Sequence, residues 1–334
     1  MPDLLYVSDE RFLDHDPGHG HPERPARLEA IERGLLAAGI EESVTRVAPR
    51  AATVEELTRV HPRPFVDAIQ SLCASGGGPI DADTAVSRGS WAAALLAAGA
   101  GLDAIERLDR GEAAAAFCAV RPPGHHAMPR RAMGFCLFNN IAVAATTLAE
   151  RGERVLIVDY DAHHGNGTQA VFYDDPRVLY VSLHEYPLYP GTGSLGERGE
   201  GPGAGHTVNI PLPRGATGDI YRRAVDEVIA PLAASSGITW LLVSAGFDAH
   251  RRDPLTGLGL SAGDFADITA ALVELVPAGR RLLFLEGGYD LQAMADSAAA
   301  TFGRLVGQDH RPEPATGGGP GQSVVDALLN LQRQ

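Results

Sequence analysis

Six apolar runs of strand length, at residues 4–7, 114–120, 155–158, 178–183, 240–244 and 282–285, punctuate this chain. Between them, residues 24–38, 87–108, 138–150, 219–234, 261–276 and 292–306 carry helical spacing. Short unbroken apolar runs suit strands covered on both faces, and their alternation with helices predicts βα units around a mainly parallel sheet. Ser261 followed by Asp264 has the form of an N-terminal capping box, with Asp in the place of Glu. The expected fold is α/β: one domain over residues 1–310, with a mainly parallel central sheet flanked by helices. Residues 311–321 are rich in proline and glycine and form a connection to a short C-terminal helix at 323–331, so 311–334 is expected to pack as an accessory element. The glycine-rich stretches 76–79, 191–205 and 317–321 are expected to be surface connections.

Composition narrows the class further. With 334 residues and 45% hydrophobic content the chain can bury a large core, and nothing in it has a disordered composition. It lacks the run of about 18 apolar residues that a membrane span needs. Its first residues lack the basic-then-apolar order of a secretory leader. A cytoplasmic protein without a membrane partner is therefore expected. Cys73, Cys118 and Cys136 are odd in number and have no Cys-x-x-Cys spacing, which points to buried thiols and away from a disulfide framework or thiolate zinc site. The 28 basic residues are all arginine, against 42 acidic ones, for a net charge of −14. That balance argues against a nucleic-acid partner.

Ligands of open α/β sheets collect outside the carboxyl ends of the strands. Four candidate segments fall just there: 122–126 after the second run, 159–163 after the third, Asp248 after the fifth, and 287–289 after the sixth. Four loops are thus expected to converge on one pocket.

Asp161 and His163, two apart at a strand end, can turn toward one cation, and Asp248 can supply a third ligand. Two oxygens and a nitrogen with an open position suit a catalytic zinc rather than a closed structural one. An isolated Asp-x-His is more often a turn or a helix cap; the neighbouring histidine pair and the second strand-end Asp favour the metal. His125 and His126 lie in a Pro-Pro-Gly loop, where adjacent imidazoles suit proton transfer near neutral pH. The competing reading makes both of them metal ligands. Three better-placed ligands favour proton transfer.

The segments Arg121-Pro122-Pro123-Gly124-His125-His126-Ala127, Gly134-Phe135-Cys136-Leu137-Phe138-Asn139-Asn140 and Asp159-Tyr160-Asp161-Ala162-His163-His164-Gly165-Asn166-Gly167-Thr168-Gln169 resemble the zinc-dependent histone deacetylase family. So do Pro190-Gly191-Thr192-Gly193, Ala245-Gly246-Phe247-Asp248, Asp253-Pro254-Leu255 and Leu285-Glu286-Gly287-Gly288-Tyr289-Asp290. The earlier His21-Pro22-Glu23-Arg24-Pro25-Ala26-Arg27 fits the same pattern, and the matches keep the family's order. Asn166, where one branch has Asp, resembles the class II branch, which includes bacterial histone-deacetylase-like amidohydrolases.

The resemblance implies zinc on Asp161, His163 and Asp248. It implies His126 as general base and then general acid, paired with Asn166, and His125 as an electrostatic partner paired with Asp159. An Asn partner leaves His126 less basic than a carboxylate would. Tyr289 is implied as the oxyanion donor, and because members with His there are poor deacetylases, the tyrosine favours competence. Gly134, Phe135, Tyr189 and Leu255 are the implied substrate contacts, with Tyr189 departing from the more usual Phe. Potassium is a further candidate ion, at main-chain oxygens near Asp159, Asp161, His163, Ser182 and Leu183, with a second site near Phe172.

Arginase-like enzymes share this sheet and use two manganese ions, but the extra carboxylates they need fall at Gly165 and His250 here. An acylpolyamine amidohydrolase is the closer rival. It calls for a carboxylate at the pocket mouth, where this chain has the apolar Leu255, although Glu23 or Glu185 could reach it. A non-catalytic acyl-lysine reader is disfavoured by the complete set of His125, His126, Tyr289 and metal ligands. The expected substrate is therefore an acylated lysine in a peptide or protein, or a similar small acyl amine, and an oligomer is compatible with this reading.

Overall fold

A computed structural model describes residues 3–332. Among the described residues there are ten strands: β1 (Leu4–Val7), β2 (Val44–Val47), β3 (Gly77–Pro79), β4 (Ala85–Ser87), β5 (Ala115–Cys118), β6 (Val155–Asp159), β7 (Val178–Glu185), β8 (Thr207–Leu212), β9 (Trp240–Ala245) and β10 (Arg281–Leu285). Eight of them form one sheet in the order β2-β1-β5-β10-β9-β6-β7-β8. Every pairing within it is parallel. All six apolar runs became strands of this sheet, and β1, β5, β6, β7 and β9 are buried at every position. Helices on both faces impose that burial, which is why alternation of polar and apolar residues is absent from these strands.

The sequence pattern missed both edges. In β2, Val-Thr-Arg-Val leaves Thr45 and Arg46 exposed, and in β8 Asn209 and Pro211 interrupt the apolar run. Proline is tolerated at an edge because the missing N–H faces no further strand. A second correction concerns residues 76–79, expected to be a loop. Gly77–Pro79 pairs antiparallel with Ala85–Ser87, and Gly77 takes φ +92° with so little room that a Cβ there would lie 2.2 Å from the Val86 carbonyl oxygen. The helices Arg63–Ala74 and Asn166–Phe172 were also not anticipated.

The expected helix 219–234 is broken by a π turn at Val225–Ile229. Pro231, which has no N–H to donate, lies two residues past that turn, in the first turn of the helix Ala230–Ser235. The capping box is present: Ser261 begins the helix Ala262–Val273, with Asp264 reciprocating. All three cysteines are free and buried. Among the described residues no helix is long and apolar enough to cross a membrane.

β5, β10, β9 and β6 are consecutive in the sheet, and they are the four strands whose carboxyl ends carry the candidate segments. Beneath those loops lies a buried ionic cluster. Arg121 donates to Glu23 Oε2 at 2.7 Å and to the Phe12 carbonyl at 2.8 Å, while Arg27 donates to Glu23 Oε1 at 3.1 Å and to the Gly288 carbonyl at 2.7 Å. Glu23, Arg27 and Arg121 are fully buried, so Glu23 cannot reach the pocket mouth.

Removing one member of such a cluster strands the others as uncompensated charges. Glu23→Gln is expected to cost about 3–5 kcal/mol of stability, read from urea unfolding at neutral pH. Burial alone would raise the Glu23 carboxyl, but His15 and Arg121 beside it hold it well below the usual range. A depressed pKa gives stability that is full above the ordinary glutamate range and is lost as pH falls toward the folded value. The gap between wild type and variant should therefore narrow on acidification.

Candidate active site

The turns that follow β6 and β9 place three donors together. Asp161, His163 and Asp248 each offer a ligand atom, and these atoms lie within 4.8 Å of one another. His163 Nδ1 is 3.2 Å from Asp161 Oδ1 and 2.9 Å from Asp248 Oδ2. Backbone donors fix both carboxylates: Gly287 N–H reaches Asp161 Oδ2 at 2.7 Å, and Ala162 N–H reaches Asp248 Oδ1 at 2.8 Å. Gly287 has to be glycine, since its Cβ would lie 2.3 Å from Asp248 Oδ2 and 2.6 Å from Asp161 Oδ2.

Asp161 and Asp248 are fully buried, and burial together with the Asp161 charge pushes the Asp248 carboxyl up to about 7. Two carboxylates this close, out of water, call for a cation. An oxygen, nitrogen and oxygen set with a partly exposed His163 fits a single divalent ion with an open coordination position.

Two imidazole pairs flank this cluster. His126 Nδ1 faces Asn166 Oδ1 at 2.8 Å, while the Asn166 amide nitrogen lies 3.3 Å from the Met128 sulfur and 3.5 Å from that of Met133. An amide oxygen can only accept, so Nδ1 carries the hydrogen and Nε2 is the basic atom. Burial, reinforced by the charges of His125 and His163, holds His126 well below the usual histidine range. His125 Nδ1 is 3.0 Å from Asp159 Oδ2. Burial opposes its charged form, but Asp159, Asp161 and Glu286 overcome that and push it up to about 10. The two rings lie 4.0 Å apart at their centroids, one set to be neutral and the other cationic.

Aromatic side chains from separate loops surround this cluster. The Tyr189 ring is 5.3 Å from that of His126 and 6.3 Å from that of His163, and Phe135 meets Tyr289 edge-on at 5.9 Å. Phe135 takes φ +67°, rare for a bulky side chain, and its N–H is held by the Thr84 hydroxyl at 3.1 Å. Tyr189 and Leu255 are among the exposed large apolar side chains. Glu185, the other acid with potential reach to the mouth, is buried and accepts the Gly257 N–H at 2.5 Å. His250, at the place of an arginase carboxylate, turns to Glu313 at 2.7 Å, and a Cβ on Gly165 would lie 2.1 Å from Asp159 Oδ2. Ser182 is the β7 register partner of Asp159, and Phe172 ends the helix Asn166–Phe172.

Several residues outside the expected set also build the site. Glu286 Oε2 accepts the N–H groups of Gly124 at 2.7 Å and His125 at 3.1 Å, which clamps the histidine loop to the end of β10. Tyr180 places its hydroxyl 3.1 Å from Asp159 Oδ2. Asp253 Oδ2 accepts the Tyr289 N–H at 2.7 Å, and the Arg27 guanidinium stands 5.2 Å from the Tyr289 ring centroid. Glu286 left a signal in the sequence, a carboxylate closing an otherwise apolar strand. Arg27 and Asp253 lie in the family-like segments, whereas Tyr180 depends on long-range packing.

A parallel α/β sheet with an Asp-His-Asp cluster and a histidine pair at adjacent strand ends defines a class shared with known proteins. The family profile described as Histone deacetylase domain matches residues 21–305. A probable deacetylase of Archaeoglobus fulgidus is 41% identical over 292 residues, covering 86% of this chain and 81% of the relative. Histone deacetylase 14, chloroplastic, of Arabidopsis thaliana is 36% identical over 343 residues, covering 92% and 80%. The crystal structure of the HDA15 HD domain superposes with a TM-score of 0.91 at 38% identity, over 99% of this chain and 94% of that one. The chain belongs to the histone deacetylase family.

Proposed function

We propose that this chain is a zinc-dependent amidohydrolase that removes acyl groups from lysine side chains or similar acyl amines, cleaving linear C–N bonds other than peptide bonds. The observation that carries the reading is the convergence of the Asp161, His163 and Asp248 donors beside a neutral His126. Zinc held by those three residues would polarise the acyl carbonyl and acidify a water molecule.

The rest of the chemistry falls to the chain. His126 Nε2 takes the proton of the attacking water, and the same imidazole returns it to the amine nitrogen as the C–N bond breaks, so carboxylate and amine leave together. Asn166 holds His126 in the tautomer this needs. His125, cationic against Asp159, offsets the negative charge that develops at the carbonyl. Tyr289 donates its hydroxyl to that oxygen. The Gly134 carbonyl accepts the substrate amide N–H, Phe135 and Tyr189 flank the extended chain, and Leu255 stands at the mouth. Potassium would sit on main-chain oxygens of Asp159, Asp161 and His163 with Ser182 and Leu183, a second ion lying near Phe172; the register of Asp159 with Ser182 supports the first.

The burial of Glu23 and the tie from Glu185 to Gly257 favour acyl-lysine over acylpolyamine, since neither acid is free to meet a second ammonium group. The deciding experiment compares rates on acetyl-lysine peptides, N-acetylputrescine and longer acyl-lysines at matched zinc loading. Faster turnover of the peptides supports this substrate class. Faster turnover of the acetylated diamine would replace it with the polyamine reading.

A further inference from the structure

Past the family-matching region, residues 311–316 pack against the segment that follows β9 and the start of the helix Ala262–Val273. The Glu313 carboxylate there meets three donors: His250 Nε2 at 2.7 Å, the Ala262 N–H at 3.0 Å and Arg251 Nη2 at 3.0 Å. Neighbours seat the strap firmly. Ser261 donates to the Pro314 carbonyl at 2.6 Å, and Thr316 donates through N–H and hydroxyl to Asp264 at 2.8 and 2.7 Å. Gly263 permits the approach, for its Cβ would lie 2.5 Å from the Glu313 carbonyl oxygen.

His250 is fully buried, and its two nitrogens are both used. Nδ1 accepts the Arg252 N–H at 3.1 Å, which leaves the ring hydrogen on Nε2 for Glu313. The backbone then closes a tight turn, with Asp253 N–H donating to the His250 carbonyl at 2.8 Å. That turn sets the Asp253 carboxylate, which accepts Leu255 N–H at 2.9 Å on one oxygen and Tyr289 N–H at 2.7 Å on the other. A chain of direct hydrogen bonds thus runs from the strap to the backbone of the oxyanion donor.

We infer that Glu313 is a positioning residue for the reaction, acting through His250 and Asp253 to hold the backbone of Tyr289. The inference builds on the amidohydrolase reading of the site. Without the carboxylate, the buried His250 Nε2–H loses its acceptor and the turn has to move to find another. Small displacements of a transition-state donor lower turnover more than they weaken substrate binding.

The test uses the full chain with zinc bound, and counts bound zinc per chain. Glu313→Ala should lower kcat about tenfold per zinc-loaded site with KM little changed. In the same variant the amides of Leu255 and Tyr289 should exchange hydrogen faster. Glu313→Gln should restore most of both properties, because its Oε1 still accepts from His250. Asp326→Asn, which cuts a bridge of 2.6 Å from Arg223 to the C-terminal helix Gln322–Gln332, loosens the tail at another anchor and should change neither.

Wild-type kcat and exchange in Glu313→Ala would overturn the inference, as would Asp326→Asn reproducing its losses. If Glu313→Ala does not fold, Glu313→Asp, one methylene short of His250, is read by the same criteria. If the wild-type chain hydrolyses no acyl amide, the amidohydrolase reading falls, and exchange at Leu255 and Tyr289 still decides whether the clamp exists.

Discussion

Replacing His126 with alanine should lower kcat on an acyl-lysine peptide by a factor of about 10²–10⁴, the usual worth of a positioned general base. The geometry concentrates that role on one atom. Asn166 occupies Nδ1 at 2.8 Å and leaves Nε2 to accept a proton. Burial and two neighbouring imidazoles keep the ring unprotonated. Because proton transfer matters only once the water attacks, KM should stay within a few-fold of wild type. Steady-state kinetics on protein with confirmed zinc content check this. A variant with near wild-type kcat would contradict that role, since the neighbouring His125 is held cationic by its carboxylate partners and is not free to take the proton.

Tyr289→Phe is expected to lower kcat by about 10²–10³, the cost of removing one donor from a developing oxyanion. The substitution keeps the ring and so its contacts with Phe135 and with the Arg27 guanidinium. Its backbone N–H still binds Asp253. Stability and zinc content should therefore match wild type, isolating the hydroxyl. Thermal unfolding and metal analysis beside the kinetics separate loss of chemistry from loss of fold.

Much of this site could be read in the sequence because its residues cluster at the ends of uninterrupted apolar strands. Val155–Asp159 and Trp240–Ala245 are buried at every position, and a carboxylate or imidazole just beyond such a run has few structural reasons to be there. The edges of the sheet gave no such signal. Thr45 and Arg46 face solvent in β2, and Asn209 and Pro211 break the apolar pattern of β8.

The support beneath the site was similarly hidden. Glu286 binds Gly124 across 162 residues, and Arg27 reaches Gly288 across 261. Neither partnership leaves a local pattern, since each depends on which strands become neighbours. Glu23 shows the opposite failure, an acid that looked available for the mouth and is instead consumed by Arg27 and Arg121.

The most direct test of the central claim follows acetate release from an acetyl-lysine peptide while zinc is returned to chelator-stripped protein. The rate should rise from background in proportion to bound zinc, saturate at about one ion per chain as a three-ligand catalytic site requires, and fall again on chelation. Full activity in the stripped protein, or no acetate from the zinc-loaded protein on any acyl amide, would contradict the account.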